Sequence, residues 1–134
     1  MAEPETYALL GGTTLASGAN NGDKESNKGH RGIILVVDIT ASSGTSPTLT
    51  VKLQEFLPQG NAGAGRWVDI TGATTAALDA TQTGATSLVL YPGCIASANA
   101  QVNRPLGEWF RYVATVGGSD TPTVTASIHA QMIP

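Results

Sequence analysis

The chain offers little that could do chemistry: two histidines, one cysteine and ten acidic side chains among 134 residues. His30 lies in a polar stretch and His129 on the polar side of an alternating run, and neither has a cysteine or a second histidine at metal-ligand spacing. Both are expected as exposed structural residues. No G-x-S-x-G elbow, H-E-x-x-H pair, phosphate-binding loop or dinucleotide fingerprint occurs. Asn20, Asn21, Gly22 and Asp23 have the composition of a calcium loop without its D-x-[DN]-x-[DN]-G order or closing glutamate. No metal and no cofactor is expected, and catalysis is the least favoured class of function.

The carboxylates Glu55, Asp69 and Glu108 can pair for acid–base work only if their strands are neighbours. Asp38 falls by alternation on the face of Ile34 and Val36, where an unpaired charge is costly if buried. It is expected at the rim of the fold, or paired with Lys52 or Arg111. Cys94 is the sole cysteine, so no intrachain disulfide can form, and with no basic cluster beside it in sequence it reads as a passive small residue. Trp67 and Trp109 have two readings, a sugar-stacking platform or core packing. With only two Trp, three Tyr and two Phe in the chain, core packing is the expected use.

These residues must be held by strands. Ile33 to Val37 is a continuous apolar run, which reads as a central strand covered on both faces. Leu49, Val51 and Leu53 alternate with Thr48, Thr50, Lys52 and Gln54, and the small residues Ala41 to Ser46 between the two runs predict an antiparallel hairpin. A second hairpin is expected from Trp109 to Val116 and Thr123 to Ile133, with Phe110, Tyr112, Ala114 and Val116 on one face and Trp109, Arg111, Val113 and Thr115 on the other, and with Val124, Ala126, Ile128, Ala130 and Met132 alternating with Thr125, Ser127, His129 and Gln131. Tyr7 to Leu15 reads as a first strand with a bulge at Gly11-Gly12, or as an arm laid on a neighbouring subunit. Arg66 to Ile70 and Thr86 to Tyr91 are further strands, the latter closed by a Pro92-Gly93 turn. Thr71 to Thr83 is an edge or irregular segment, and Cys94 to Asn103, the best helix candidate, is expected as loop. The organisation expected is an arm or first strand over 1–15, a long polar loop over 16–31, and a domain over 32–134. The fold class is all-β: an antiparallel two-sheet β-sandwich of about seven or eight strands, jelly-roll or immunoglobulin-like.

Only 13% of residues are charged and the formal balance is −3, so the clustered Lys and Arg that bind nucleic acid are not expected. No apolar run has the length of a membrane span, and Met1 to Leu10 lacks the pattern of a signal peptide, so no membrane association is expected either.

Four stretches taken together carry a family likeness. They are R-G-I-I-L-V-V-D-I-T-A-S-S-G-T-S-P-T-L-T-V-K-L-Q-E, R-W-V-D-I, S-L-V-L-Y-P-G and P-L-G-E-W-F-R-Y-V-A-T-V-G-G, spread over about Arg31 to Ile133. In order and spacing this resembles a group of small proteins encoded in structural-gene clusters of tailed bacteriophages, with departures at the Asn20 to Arg31 loop and at Phe110, where a Trp would be expected. The resemblance implies a virion structural protein, a capsid decoration or cement protein made in the host cytoplasm and located on the capsid surface. It implies two partners, the major capsid protein and further copies of the chain as a homodimer or homotrimer at symmetry positions. It supplies no catalytic residue. Bridging contacts would come from the arm Ala2 to Leu15, the polar loop and the loop Pro92 to Asn103, with Tyr7, Leu9, Leu10, Asn20, Asn21, Lys24, Lys28 and Arg31 as the partner-binding residues. Two alternatives stand beside it: a carbohydrate-binding or adhesin-like β-sandwich module, and a tail- or connector-associated virion protein.

Overall fold

Period-two alternation runs through most of the chain, and the computed structural model, which describes residues 5–134, places most of it in strands. These are β1 (Glu5–Leu15), β2 (Gly18–Asn21), β3 (Glu25–Ser26), β4 (Gly32–Leu57), β5 (Arg66–Thr74), β6 (Leu78–Asp79), β7 (Gly84–Leu90), β8 (Gln101–Val102) and β9 (Trp109–Ile133). No α-helix occurs among the described residues. The nine strands form one mixed sheet in the order β1-β9-β4-β7-β8, with β2 and β3 also on β9 and β5 and β6 also on β4. Only β7 and β8 run parallel. The Pro92-Gly93 turn is present, with Gly93 at φ +95° and Cys94 N donating to Tyr91 O.

Neither expected hairpin forms. Gly32–Thr40 and Pro47–Leu57 are two halves of the single strand β4, and Trp109–Val116 and Thr123–Ile133 are two halves of β9. Ile33 to Ile39 pair with Met132 to Ala126, and Leu49 to Glu55 pair with Val116 to Phe110. Alternation fixes the face a residue takes but not its partner, so a bent strand satisfies the pattern as well as a hairpin does. The links between the halves absorb the bend as bulges, with register slips between Ile39 and Ala41, Ser43 and Thr45, and Thr45 and Thr48. The two bends nest. A Cβ on Gly44 would lie 2.8 Å from Pro122 Cα, and one on Gly118 would lie 2.9 Å from Thr45 O, so both positions need glycine.

A third ribbon follows the same course. β1 lies along β9 from Glu5 opposite Met132 to Leu15 opposite Val124, β2 continues from Gly18 opposite Val116, and β3 ends with Ser26 opposite Trp109. The polar stretch 16–31 is thus partly strand, and its composition suits an edge ribbon with one side in water. Strands β1, β2 and β3 belong to the same sheet as the rest. Register slips between Ala8 and Leu10 and between Leu10 and Thr13 accompany the Gly11-Gly12 pair. The acidic start, Ala2 to Pro4, lies outside the described residues.

All halves feed one apolar core. Ile33, Leu35, Val37 and Ile39 from the first half of β4 and Leu49, Val51 and Leu53 from the second are buried in the same cluster, as are Phe110, Tyr112, Ala114, Val116, Val124, Ala126, Ile128, Ala130 and Met132 of β9. Ile34 and Val36 are only half-buried, so the central run is not covered equally on both faces. Asp38 shares their face, half-buried beside Ala85 and Ser127. It does not pair with Lys52, which bonds Asp69, or with Arg111, which bonds Gln54.

The segment 27–31 is tied to β9 and to the stretch before it. Arg31 N donates to Ile133 O, Leu106 N to Arg31 O, and Asn27 Nδ2 to Gly107 O at 2.9 Å. His30, expected exposed, is buried here at 4% exposure with Nδ1 2.7 Å from Asn27 O. The backbone bonds on either side carry its ring inward, which its polar neighbours in sequence conceal. His129 is exposed as expected.

Candidate interaction surface

In the second half of the sheet the odd-numbered residues of β4 point to the core, so Lys52, Gln54 and Phe56 lie on the outer face. Cross-strand neighbours share a face, which adds Trp67 opposite Phe56 and both Asp69 and Arg111 opposite Gln54. Trp109, two residues before Arg111 on β9, takes the same face. The two tryptophans therefore lie half-exposed outside the core, contrary to the expected core packing. Phe110, between Trp109 and Arg111, takes the core position, where it is fully buried.

The outer cluster is compact. The rings of Phe56 and Trp67 are 5.1 Å apart and tilted by 55°. Arg111 lies over Trp67 with Cζ 4.4 Å from the ring centroid, and Lys24 Nζ lies 4.1 Å from the Phe56 centroid and 4.7 Å from that of Trp109. Polar bonds fix the far side: Arg111 Nε donates to Gln54 Oε1 at 2.8 Å, Gln54 Nε2 donates to Asp69 Oδ1 at 2.8 Å, and Lys52 Nζ donates to Asp69 Oδ2 at 3.0 Å. The Gln54 bond first, and then the Lys52 bond, hold the Asp69 carboxyl below its ordinary value of 3.8. Beneath the cluster the Phe56 ring lies on Gly65, where an added Cβ would fall 2.2 Å from Phe56 Cζ.

The three carboxylates considered for acid–base work do not converge. Glu55 takes the opposite face from Gln54 and Asp69, and its two carboxylate oxygens both accept from Arg104 Nη2, at 3.1 and 2.9 Å. Glu108 is exposed in the segment before β9. Among the described residues no three His, Cys, Asp or Glu side chains are grouped as metal ligands. Cys94 is half-buried, with Sγ 3.3 Å from Val102 O.

The remaining residues expected to bind partners are scattered. The backbone of Tyr7 pairs with Ala130, and its side chain lies outside the described residues. Leu9 and Leu10 pack half-buried on their own core. Asn20 Nδ2 bonds the carbonyls of Ala16, Gly18 and Ala114, and Asn21 is exposed with its backbone opposite Val113. Lys28 is exposed in a tight turn where its N donates to Ser26 Oγ, and Arg31 Nη2 donates to Tyr91 Oη at 3.2 Å. Of the set, Lys24 alone joins the aromatic cluster. No family model, curated protein or solved structure matches this chain.

Phe56, Gln54 and Arg111 are the members that the sequence analysis did not single out for binding. The signal was present: Phe56 and Trp109 fall in the polar register of otherwise regular alternation, which places an aromatic ring where water is expected. A second feature is a shallow groove of about 460 Å³ between Gly72 and the loop Ala96 to Asn99, with Ile95 beside it in sequence at 85% exposure. Its lining of Thr, Gly, Ala, Ser, Asn, Gln and Val carries no titratable group.

Proposed function

We propose that this protein is a structural component of a tailed-bacteriophage particle, a capsid decoration or cement protein that binds the outside of the shell and bridges neighbouring major capsid subunits. The observation that carries the reading is the half-exposed cluster of Phe56, Trp67, Trp109 and Arg111 on one outer face, since aromatic residues and arginine are the types that concentrate binding energy at protein interfaces. The family resemblance over Arg31 to Ile133 points the same way. In this reading the bend shared by the three ribbons folds the sheet into the two layers of a β-sandwich of jelly-roll or immunoglobulin type. Copies associate as dimers or trimers at symmetry positions of the capsid, where many shared contacts add up. The chain performs no catalysis and has no nucleic-acid or membrane partner.

Electron microscopy of particles carrying the chain tests the proposal, and density on the shell is expected. Co-sedimentation with undecorated shells is expected to weaken by about tenfold or more for Arg111→Ala or Trp67→Ala. Density on the tail, or undiminished attachment of both variants, would overturn the assignment. The exposure of Trp67 and Trp109 on one face also favours a carbohydrate-binding module. Against that stands the occupation of the ring faces by Lys24 and Arg111, which a stacked sugar would have to displace.

A further inference from the structure

We infer that the outer aromatic cluster is a receptor for an extended, carboxylate-bearing segment of a partner protein, an inference that rests on the interface reading above and names the chemistry of what docks there. The chain as a whole carries −3, yet its aromatic face presents cations. Lys24 and Arg111 lie on ring faces, and among the described residues neither has a carboxylate within ion-pair distance. The one acidic group of the cluster, Asp69, is matched by Lys52 at 3.0 Å and bonded by Gln54.

The acidic neighbours of Lys24 in sequence do not compensate it. Glu25 pairs with Phe110, which faces the core, so alternation turns its carboxylate away from the face that Lys24 occupies, and Asp23 makes no ion pair with Lys24 and acts instead on the buried Tyr112. Two cations thus lie on an apolar floor of three rings. Arg111 gives only its Nε–H to Gln54, leaving its terminal N–H groups disposed for a two-pronged bond to a carboxylate. A partner segment that alternates Asp or Glu with apolar residues meets both parts of this surface. A neutral sugar meets neither, because the ring faces it would stack on are covered.

The chain's two tryptophans are both in the cluster, so intrinsic fluorescence reports on the site directly. The probes are hexaglutamate and an oligogalacturonate of equal charge, titrated at about 20 mM and about 200 mM salt, where screening lengths differ severalfold. Hexaglutamate is expected to produce a saturable change that weakens with salt and is lost by about tenfold or more in the Lys24→Gln, Arg111→Gln double variant. Circular dichroism of that variant should match the parent. No saturable change at low salt, or full binding by the folded double variant, would overturn the inference. Tighter binding of oligogalacturonate than of hexaglutamate would overturn it in favour of an acidic glycan. If the folded double variant still decorates shells while Trp67→Ala does not, this inference fails and the capsid reading stands. If hexaglutamate binds but no particle carries the chain, the capsid reading fails and this inference stands.

Discussion

At Tyr112, burial, with the charge of Asp23 as the second cause, raises the phenol above its ordinary value of 10.0. The ring passes close to Gly22, where an added Cβ would lie 2.3 Å from Tyr112 Cε2. The folded state holds this proton more tightly than the unfolded state. Its contribution is therefore complete below the unfolded value and lost as pH rises through the folded one. An alkaline titration followed by phenolate absorbance should show a late step that disappears in Tyr112→Phe and moves to lower pH in Asp23→Asn; a late step that survives Tyr112→Phe would refute the assignment. Asp69 has the opposite sign, its contribution being present above 3.8 and lost as pH falls through its lowered folded value. Its side chain is 59% exposed, so that contribution stays below about 1 kcal/mol. At this scale the site was half legible. Trp67 and Trp109 stood out by type and Lys24 by charge, but that Lys24 caps Phe56 and Trp109 depends on β3 lying along β9, which no local pattern reveals.

Elements were legible wherever alternation was strong. The alternating sets of β9 and of the second half of β4 were legible from period two, because burial of one face leaves a mark on every second residue, whereas the continuous apolar run Ile33 to Val37 hid the alternation of the first half. What alternation does not encode is whether a strand turns back or bends onward, and both links were misread as hairpin turns for that reason. The decisive contacts are long-range ones between Gly44 and Pro122 and between Gly118 and Thr45. Gly44→Ala should cost about 1–3 kcal/mol, combining a clash at 2.8 Å with a Cβ forced to φ +91°. Chemical denaturation would measure it, and a change below about 0.5 kcal/mol would show that the bends do not nest as closely as described. Ala41→Gly, in the same link with its side chain exposed, is the control expected to shift stability far less.

For the whole molecule, β1 is part of the sheet, which alters what truncation should do. The arm reading predicts that removing Met1 to Leu10 leaves the fold intact and weakens only attachment. With Leu9 and Leu10 packed on the core and β1 paired to β9, the truncated chain should instead lose about 2–4 kcal/mol and expose a long strand edge. Thermal unfolding and light scattering would detect both effects, and an unchanged melting temperature would restore the arm. The shared bend has one further consequence. Each of the three ribbons crosses from one half of the sheet into the other, so the two halves are stapled together by three continuous lengths of chain. A protease that nicks the chain at Ala41 to Ser46 would release no fragment, since both cut ends stay laced to β9. The molecule has no seam along which it could come apart, and it would have to be lost whole or kept whole.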